Sequence, residues 1–237
     1  MNVDDDRRAE LVAIDVKTGD KKWVKERRPE RACYSSPFLL KRGDRPAELI
    51  LGTTHALTSY DPATGKINWE YVPVWPKGKS PLRVIAHPVY AGGLVVMSCG
   101  DGGGSRYMVA VDPEKKKPAK VWELERETPY VPNILVKNDL LFWVTDKPGL
   151  ACCAEAKTGK VLWNERAFPK EVTSSPVMVG DDILAIGETG EVRVFKAAKE
   201  YEEVATADLK EGVFASPAVA DGRVYVRGVK HLYCFGK

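Results

Sequence analysis

The chain has 237 residues, 44% of them hydrophobic and 29% charged, which is apolar material enough for one large β domain or two small ones and excludes disorder over most of the length. A formal charge of +3 gives no reason to invoke a general nucleic-acid binder, and no apolar run approaches the roughly 20 residues needed to span a bilayer. Cys33, Cys99, Cys152, Cys153 and Cys234 are odd in number, irregularly spaced and without a CxxC, so they form neither a disulfide framework nor a zinc pattern and leave the redox compartment open.

The opening MNVDDDRRAE runs acidic then basic without an apolar centre, so it reads as a connection between strands rather than a secretory signal or a natural beginning. Residues 10–26 then supply two strands and a turn, and 11–23 reads LVAIDVKTGDKKW. The same text returns at 57–69 as LTSYDPATGKINW and at 150–163 as LACCAEAKTGKVLW, with a looser copy at 108–122, MVAVDPEKKKPAKVW, that has two extra residues in its turn. The Trp residues fall 46, 53 and 41 apart, a period that calls for a repeat architecture. A second marker keeps step with it: Tyr34-Ser35-Ser36-Pro37, Ile85-Ala86-His87-Pro88, Thr173-Ser174-Ser175-Pro176 and Phe214-Ala215-Ser216-Pro217 each open a strand, where the missing Pro N–H does little harm, and Tyr130-Val131-Pro132 is the degenerate version.

Between markers the order is constant: strand a, a tight turn, strand b, a polar loop, strand c, the Thr-Gly turn and strand d. Whole repeats are expected over about 34–72, 84–125, 128–166 and 173–209, with a partial blade of strands c and d at 10–26 and one of a, b and c at 214–237. The repeat at 173–209 lacks the Trp and its turn reads Lys196-Ala197-Ala198-Lys199, so its last strand is expected to be eroded. Four short antiparallel strands per repeat without a helical period predict an all-β single domain, a β-propeller of about five blades, closed into a ring by the terminal strands or left as an open arc of a larger one. A sandwich accommodates short strands but does not explain a Trp at fixed period.

The recurring frame is a small residue, an acid two positions on, then Thr-Gly, then Trp four after the Gly. Its members are Ala13, Asp15, Thr18, Gly19 and Trp23; Ser59, Asp61, Thr64, Gly65 and Trp69; Cys153, Glu155, Thr158, Gly159 and Trp163; Ala110, Asp112 and Trp122 keep only the ends. The acid and Thr can bond nearby backbone groups and Gly supplies a positive φ, which together fix a turn. Each Trp, a large flat surface with one N–H to satisfy, is expected to dock between adjacent repeats.

This A-x-D-x-x-T-G-x-x-x-W frame resembles the tryptophan-docking repeat of the pyrroloquinoline-quinone (PQQ)-like β-propeller superfamily over nearly the whole chain. The resemblance implies a propeller and an extracytoplasmic setting. It leaves function divided among quinoprotein alcohol dehydrogenases that hold PQQ and calcium, non-enzymatic propellers such as the outer-membrane assembly lipoprotein BamB, and sensor or scaffold domains. Methanol-type dehydrogenases place the quinone beneath a disulfide between adjacent cysteines, which draws attention to Cys152-Cys153; here Cys153 is accounted for as the small residue of the frame. No local motif carries over the family's calcium-binding or catalytic acids, so no cofactor or metal is expected.

Other chemistry is thin. Gly100-Asp101-Gly102-Gly103-Gly104-Ser105 leads into a strand without a GK[ST], so it reads as a loop and not a phosphate cradle. His55, His87 and His231 lack metal spacing, and Ser35, Ser36, Ser174, Ser175 and Ser216 lie in no nucleophile elbow. The d-to-a loops stand out instead: Arg27, Arg28 and Arg31 lie in one, Lys77, Lys79 and Arg83 in the next, together with Trp75 and with His87 at the strand mouth. Two basic loops around an exposed aromatic predict a rim for an acidic protein partner or anionic ligand, and the chain is expected to be a non-catalytic scaffold, with a dehydrogenase fragment or a ligand-sensing domain as alternatives.

Overall fold

The computed structural model describes residues 1–75, 81–115 and 117–236. Among them there is no helix, and the strands form six separate antiparallel sheets in which sequential strands are neighbours. The chain divides into two compact units, 1–126 and 127–237.

The first unit holds three sheets. One is β1 (Asn2–Asp4), β2 (Ala9–Ile14) and β3 (Lys21–Arg27). The second is β4 (Phe38–Leu40), β5 (Glu48–Gly52), β6 (Leu57–Tyr60) and β7 (Ile67–Tyr71). The third is β8 (Val89–Ala91), β9 (Leu94–Gly100), β10 (Arg106–Asp112) and β11 (Ala119–Leu124). The second unit continues with β12 (Leu135–Lys137), β13 (Leu140–Val144), β14 (Leu150–Glu155) and β15 (Val161–Arg166). Then come β16 (Val177–Val179), β17 (Asp182–Ile186), β18 (Glu191–Lys196) and β19 (Glu203–Asp208), and finally β20 (Ala218–Ala220), β21 (Arg223–Arg227) and β22 (Leu232–Phe235).

Two expectations need correction. Residues 10–26 are not a two-strand remnant, because Asn2–Asp4 pairs onto β2 as a third strand. Nor is the last strand of the 173–209 repeat eroded: β19 is six residues long and pairs along β18, although every one of its side chains is exposed. Strand pairing satisfies backbone groups whatever the side chains, so losing the Trp removes packing and leaves the ladder intact.

The middle strands carry the core. β9 and the first six residues of β10 are buried on both faces, which is why LVVMSCG and RYMVAV read as near-continuous apolar runs. The outer strands alternate, as in KKWVKER of β3, where Trp23, Lys25 and Arg27 are not among the exposed positions and Lys22, Val24 and Glu26 are. Apolar clusters lie between consecutive sheets: Leu11, Leu51 and Tyr60 with Trp23 between the first two, and Leu57, Leu82, Val95 and Tyr107 with Trp69 and Trp75 between the next two.

Candidate functional site

The frame folds the same way each time. Gly19, Gly65 and Gly159 have φ of +79°, +71° and +70°, and each N–H donates to the carbonyl of the frame acid four residues back, at 2.8 to 2.9 Å. Asp61 Oδ1 accepts from the N–H of Ala63 and Thr64 and from the Thr64 hydroxyl at 2.8 to 2.9 Å, and Asp15 Oδ1 takes the N–H of Lys17 and Thr18. These bonds hold the Asp61 carboxyl below the usual carboxylate range, the Thr64 hydroxyl contributing most. Glu155, one methylene longer, meets only the Thr158 hydroxyl, at 2.9 Å.

The small residue lies directly opposite the Trp: Ala13 faces Trp23, Ser59 faces Trp69, Ala110 faces Trp122 and Cys153 faces Trp163. A register shift follows the small residue in every case, so the residue before the Trp is the extra one of a β-bulge. Such a bulge raises the local twist and re-aims the following side chain. Trp23 turns its indole N–H to Pro62 O of the next sheet's Thr-Gly turn at 3.1 Å, and its ring lies so close to Gly65 that a Cβ there would sit 2.7 Å from it. Trp163 donates to Ala198 O at 3.2 Å and packs against Phe195 and Tyr201, with ring centres 6.0 and 5.2 Å away.

Trp69 differs. Its N–H goes to Glu48 Oε2 of its own sheet at 2.7 Å, and the turn opposite is the Thr-Gly-less copy. Arg42 bridges instead, bonding both Glu48 and Glu114 of that turn. Burial is the largest influence on Glu48 and pushes its carboxyl up, but the bonds from Ser59, Arg42 and Trp69 together pull it below its ordinary value. Trp122 is buried in the first unit.

The basic rim of the first unit is largely absorbed by the fold. Arg27 is enclosed, with its side chain 7% exposed, and binds Asn2 Oδ1 at 2.6 Å and Asp4 Oδ2 at 3.4 Å. Arg31 donates to Pro81 O at 2.8 Å. Arg83 is half-buried and its backbone pairs with Gly100 in both directions, and Trp75 is not an exposed anchor but packs edge-on against Tyr107, ring centres 5.8 Å apart. His87 is half-buried. Arg28 remains exposed, 3.4 Å from Glu30, whose other neighbour is His55 at 3.2 Å. Lys77 and Lys79 lie outside the described residues.

A larger, more open basic cleft lies in the second unit. It has a volume of about 590 Å³, and its walls include Lys147, Arg166, Lys170, Glu171, Glu188 and Phe214. Backbone bonds fix those walls: Ala167 and Phe168 N–H both reach Gly149 O, Val172 N–H reaches Asp146 O, and Glu188 N–H reaches Glu171 O. The acids are engaged, Glu171 by Lys147 at 2.6 Å and Glu188 by the Thr173 hydroxyl. Among the described residues Arg166 and Lys170 have no carboxylate within ion-pair distance, and Phe214 is 55% exposed beside them. Sequence reasoning missed this site because Lys170 and Glu171 cancel within one loop. The signal lay in adding the b-to-c loop of the same repeat, with Lys147, since a meander puts both loops at one end of a sheet.

The adjacent cysteines are not arranged as the disulfide that methanol-type dehydrogenases place over the quinone. Cys152 and Cys153 are consecutive on β14, so their thiols point to opposite faces: Cys153 joins the core with Trp163, and Cys152 faces the Glu127 carbonyl at 3.9 Å. Burial pushes both thiols up, Cys153 to about 12. Among the described residues no three His, Cys, Asp or Glu side chains converge to hold a metal.

A family model described as outer membrane protein assembly factor BamB matches residues 1–165, 119–203 and 155–235. Among solved structures, BamB from Moraxella catarrhalis is 18% identical with a TM-score of 0.53, over 98% of this chain and 82% of that one. Sqt1 from Saccharomyces cerevisiae is 15% identical with a TM-score of 0.71, over 99% and 68%. The quinohemoprotein alcohol dehydrogenase from Comamonas testosteroni is 14% identical with a TM-score of 0.67, over 95% of this chain but 49% of its own. No curated protein matches. At these identities the structural likeness establishes the propeller fold alone.

Proposed function

The chain belongs to the BamB-type family of β-propellers built from PQQ-like repeats, and we propose that it is a non-catalytic module that holds a protein partner outside the cytoplasm. The observation that carries this reading is the second-unit cleft. Two cations without an ion-pair partner among the described residues, Arg166 and Lys170, stand beside an exposed Phe214 on walls pinned by backbone hydrogen bonds. A pre-organised cleft with an aromatic and excess positive charge suits an acidic segment with an apolar residue, because little ordering is needed on the binding side. The first-unit rim contributes less, since Arg27 and Arg31 are committed to internal bonds.

The test is selection of displayed peptides on the protein and on the Arg166→Ala/Lys170→Ala variant. Acidic peptides with an aromatic or aliphatic residue are expected from the first and not the second, at equal Tm. Recovery of the same peptides by both would refute the cleft. The dehydrogenase alternative is examined by adding PQQ and calcium: a raised Tm together with dye-linked alcohol oxidation would replace the scaffold reading.

A further inference from the structure

The strand β19 is built as a tryptophan-docking strand and lacks its tryptophan. β18 and β19 keep the register shift of the other repeats, between Val194 and Phe195, and the residue opposite Val194 is Ala205. In the preceding sheet that position is Trp163, which faces Cys153 across the same kind of bulge and fills the space to the next sheet. At Ala205 the backbone prepares the same placement and a methyl group occupies it.

Two residues further along β19, at Ala207 on the same face, a cleft of about 340 Å³ opens between sheets β16–β19 and β20–β22, wholly within the second unit. Its walls are Leu184, Ile186 and Val192 on one side and Val224, Val226 and Phe235 on the other. Ile186 and Val226 are fully or almost fully buried, with Val213 packed in the same cluster, while Phe235 is 47% exposed on the wall. The pairings explain why these side chains converge. Leu184 lies opposite Val194 and Ile186 opposite Val192, so they share the face of Ala205; Val224 lies opposite Phe235 on the facing sheet.

We infer that this cleft binds a small planar aromatic molecule of the indole class. The chain itself shows what such a space accepts, since the equivalent interval after β15 holds an indole against an aromatic wall. Water held against these apolar walls finds few polar partners, so a ring that covers them removes apolar surface from solvent. The volume is at the lower end of small-ligand pockets, which suits a bicyclic ring and not a large cofactor. This inference is independent of the basic cleft.

The experiment is titration of the whole chain with free indole, read by Tm and by saturation-transfer NMR, against Ala205→Trp and Ala207→Glu. Wild type is expected to bind with a dissociation constant of roughly 0.1–1 mM, within the reach of a ligand this small. Ala205→Trp is expected to raise Tm without ligand and to abolish the indole response. Should that variant fail to fold, Ala207→Glu, a change at an exposed position on the cleft wall, is expected to keep the fold and weaken binding at least tenfold. No response of wild type, or an equal response in a folded variant, overturns the inference. Binding of a Trp-containing peptide without binding of free indole overturns it too, and assigns the cleft to a partner's side chain.

Discussion

Two successive intervals in the second unit differ in the side chain at the docking position and in the sheet beyond, which has four strands after the first and three described strands after the second. Between β12–β15 and β16–β19, Trp163 reaches the next sheet, and twelve buried residues form one cluster, Phe142, Phe168 and Phe195 among them. Between β16–β19 and β20–β22, Ala205 takes that place and only Ile186, Val213 and Val226 are buried together. The docking strands themselves, β15 and β19, are paired and bulged alike. The difference teaches that in this repeat the ladder makes the sheet and the ring makes the interval. What the second interval lacks in apolar burial it replaces in part with the polar bonds that Glu211 accepts from Lys230, His231 and Tyr233.

The largest test of that comparison is Trp163→Ala. It removes a buried ring, three aromatic contacts and a bond to Ala198 O, and should destabilise the second unit by about 3–5 kcal/mol. Denaturant unfolding measures it. A loss below about 1 kcal/mol would mean that the ring is not what holds the two sheets together.

A smaller effect separates docking from turn geometry in the first unit. Gly19 and Gly65 have the same kind of φ, but a Cβ on Gly19 meets nothing within 4 Å while one on Gly65 would meet the Trp23 ring at 2.7 Å. Gly19→Ala should cost about 1 kcal/mol, from left-handed backbone alone. Gly65→Ala should cost about 1–3 kcal/mol more, because the indole must shift. Equal losses would show that Trp23 adapts freely and that the turn does not depend on a seated ring.

The repeat was legible in the sequence because its signals are local: the acid, Thr and Gly bond within five residues, and the Trp recurs at a countable interval. The candidate site was not. Arg27 and Trp75 looked available because a loop residue is read against its chain neighbours, whereas Asn2, Asp4 and Tyr107, which take them up, come from other strands. Arg166, Lys170 and Phe214 were passed over for the same reason, being gathered from separate loops. The missing Trp in 173–209 is plain in the sequence, but an absent side chain reads there as decay of a strand; the retained bulge at Val194, which turns it into a vacancy, requires the register.

The smallest expected effect concerns acid. Glu211 is nearly enclosed, with its side chain 8% exposed, and it accepts three bonds from the last sheet and the turn leading into it: Tyr233 Oη at 2.5 Å, His231 Nδ1 at 3.0 Å and Lys230 N–H at 2.7 Å. The tyrosine bond contributes most to a carboxyl held at about 2, well below its ordinary 4.5. A depressed folded-state value means that the ionised group stabilises the fold fully above the unfolded value and loses that contribution as pH falls from about 4.5 toward 2. The Trp163 interval has a polar link too, Lys137 to Gly180 O and Asp181, but that carboxylate is exposed and the cluster behind it is apolar. Hydrogen exchange should therefore show 218–235 losing protection in that acid window while 135–166 keeps it. Glu211→Gln removes the titrating group, so its exchange in 218–235 should be faster at neutral pH and nearly flat through the window. If the variant retains the wild-type acid profile, Glu211 is not what holds the last sheet, and the few buried residues of its interval suffice.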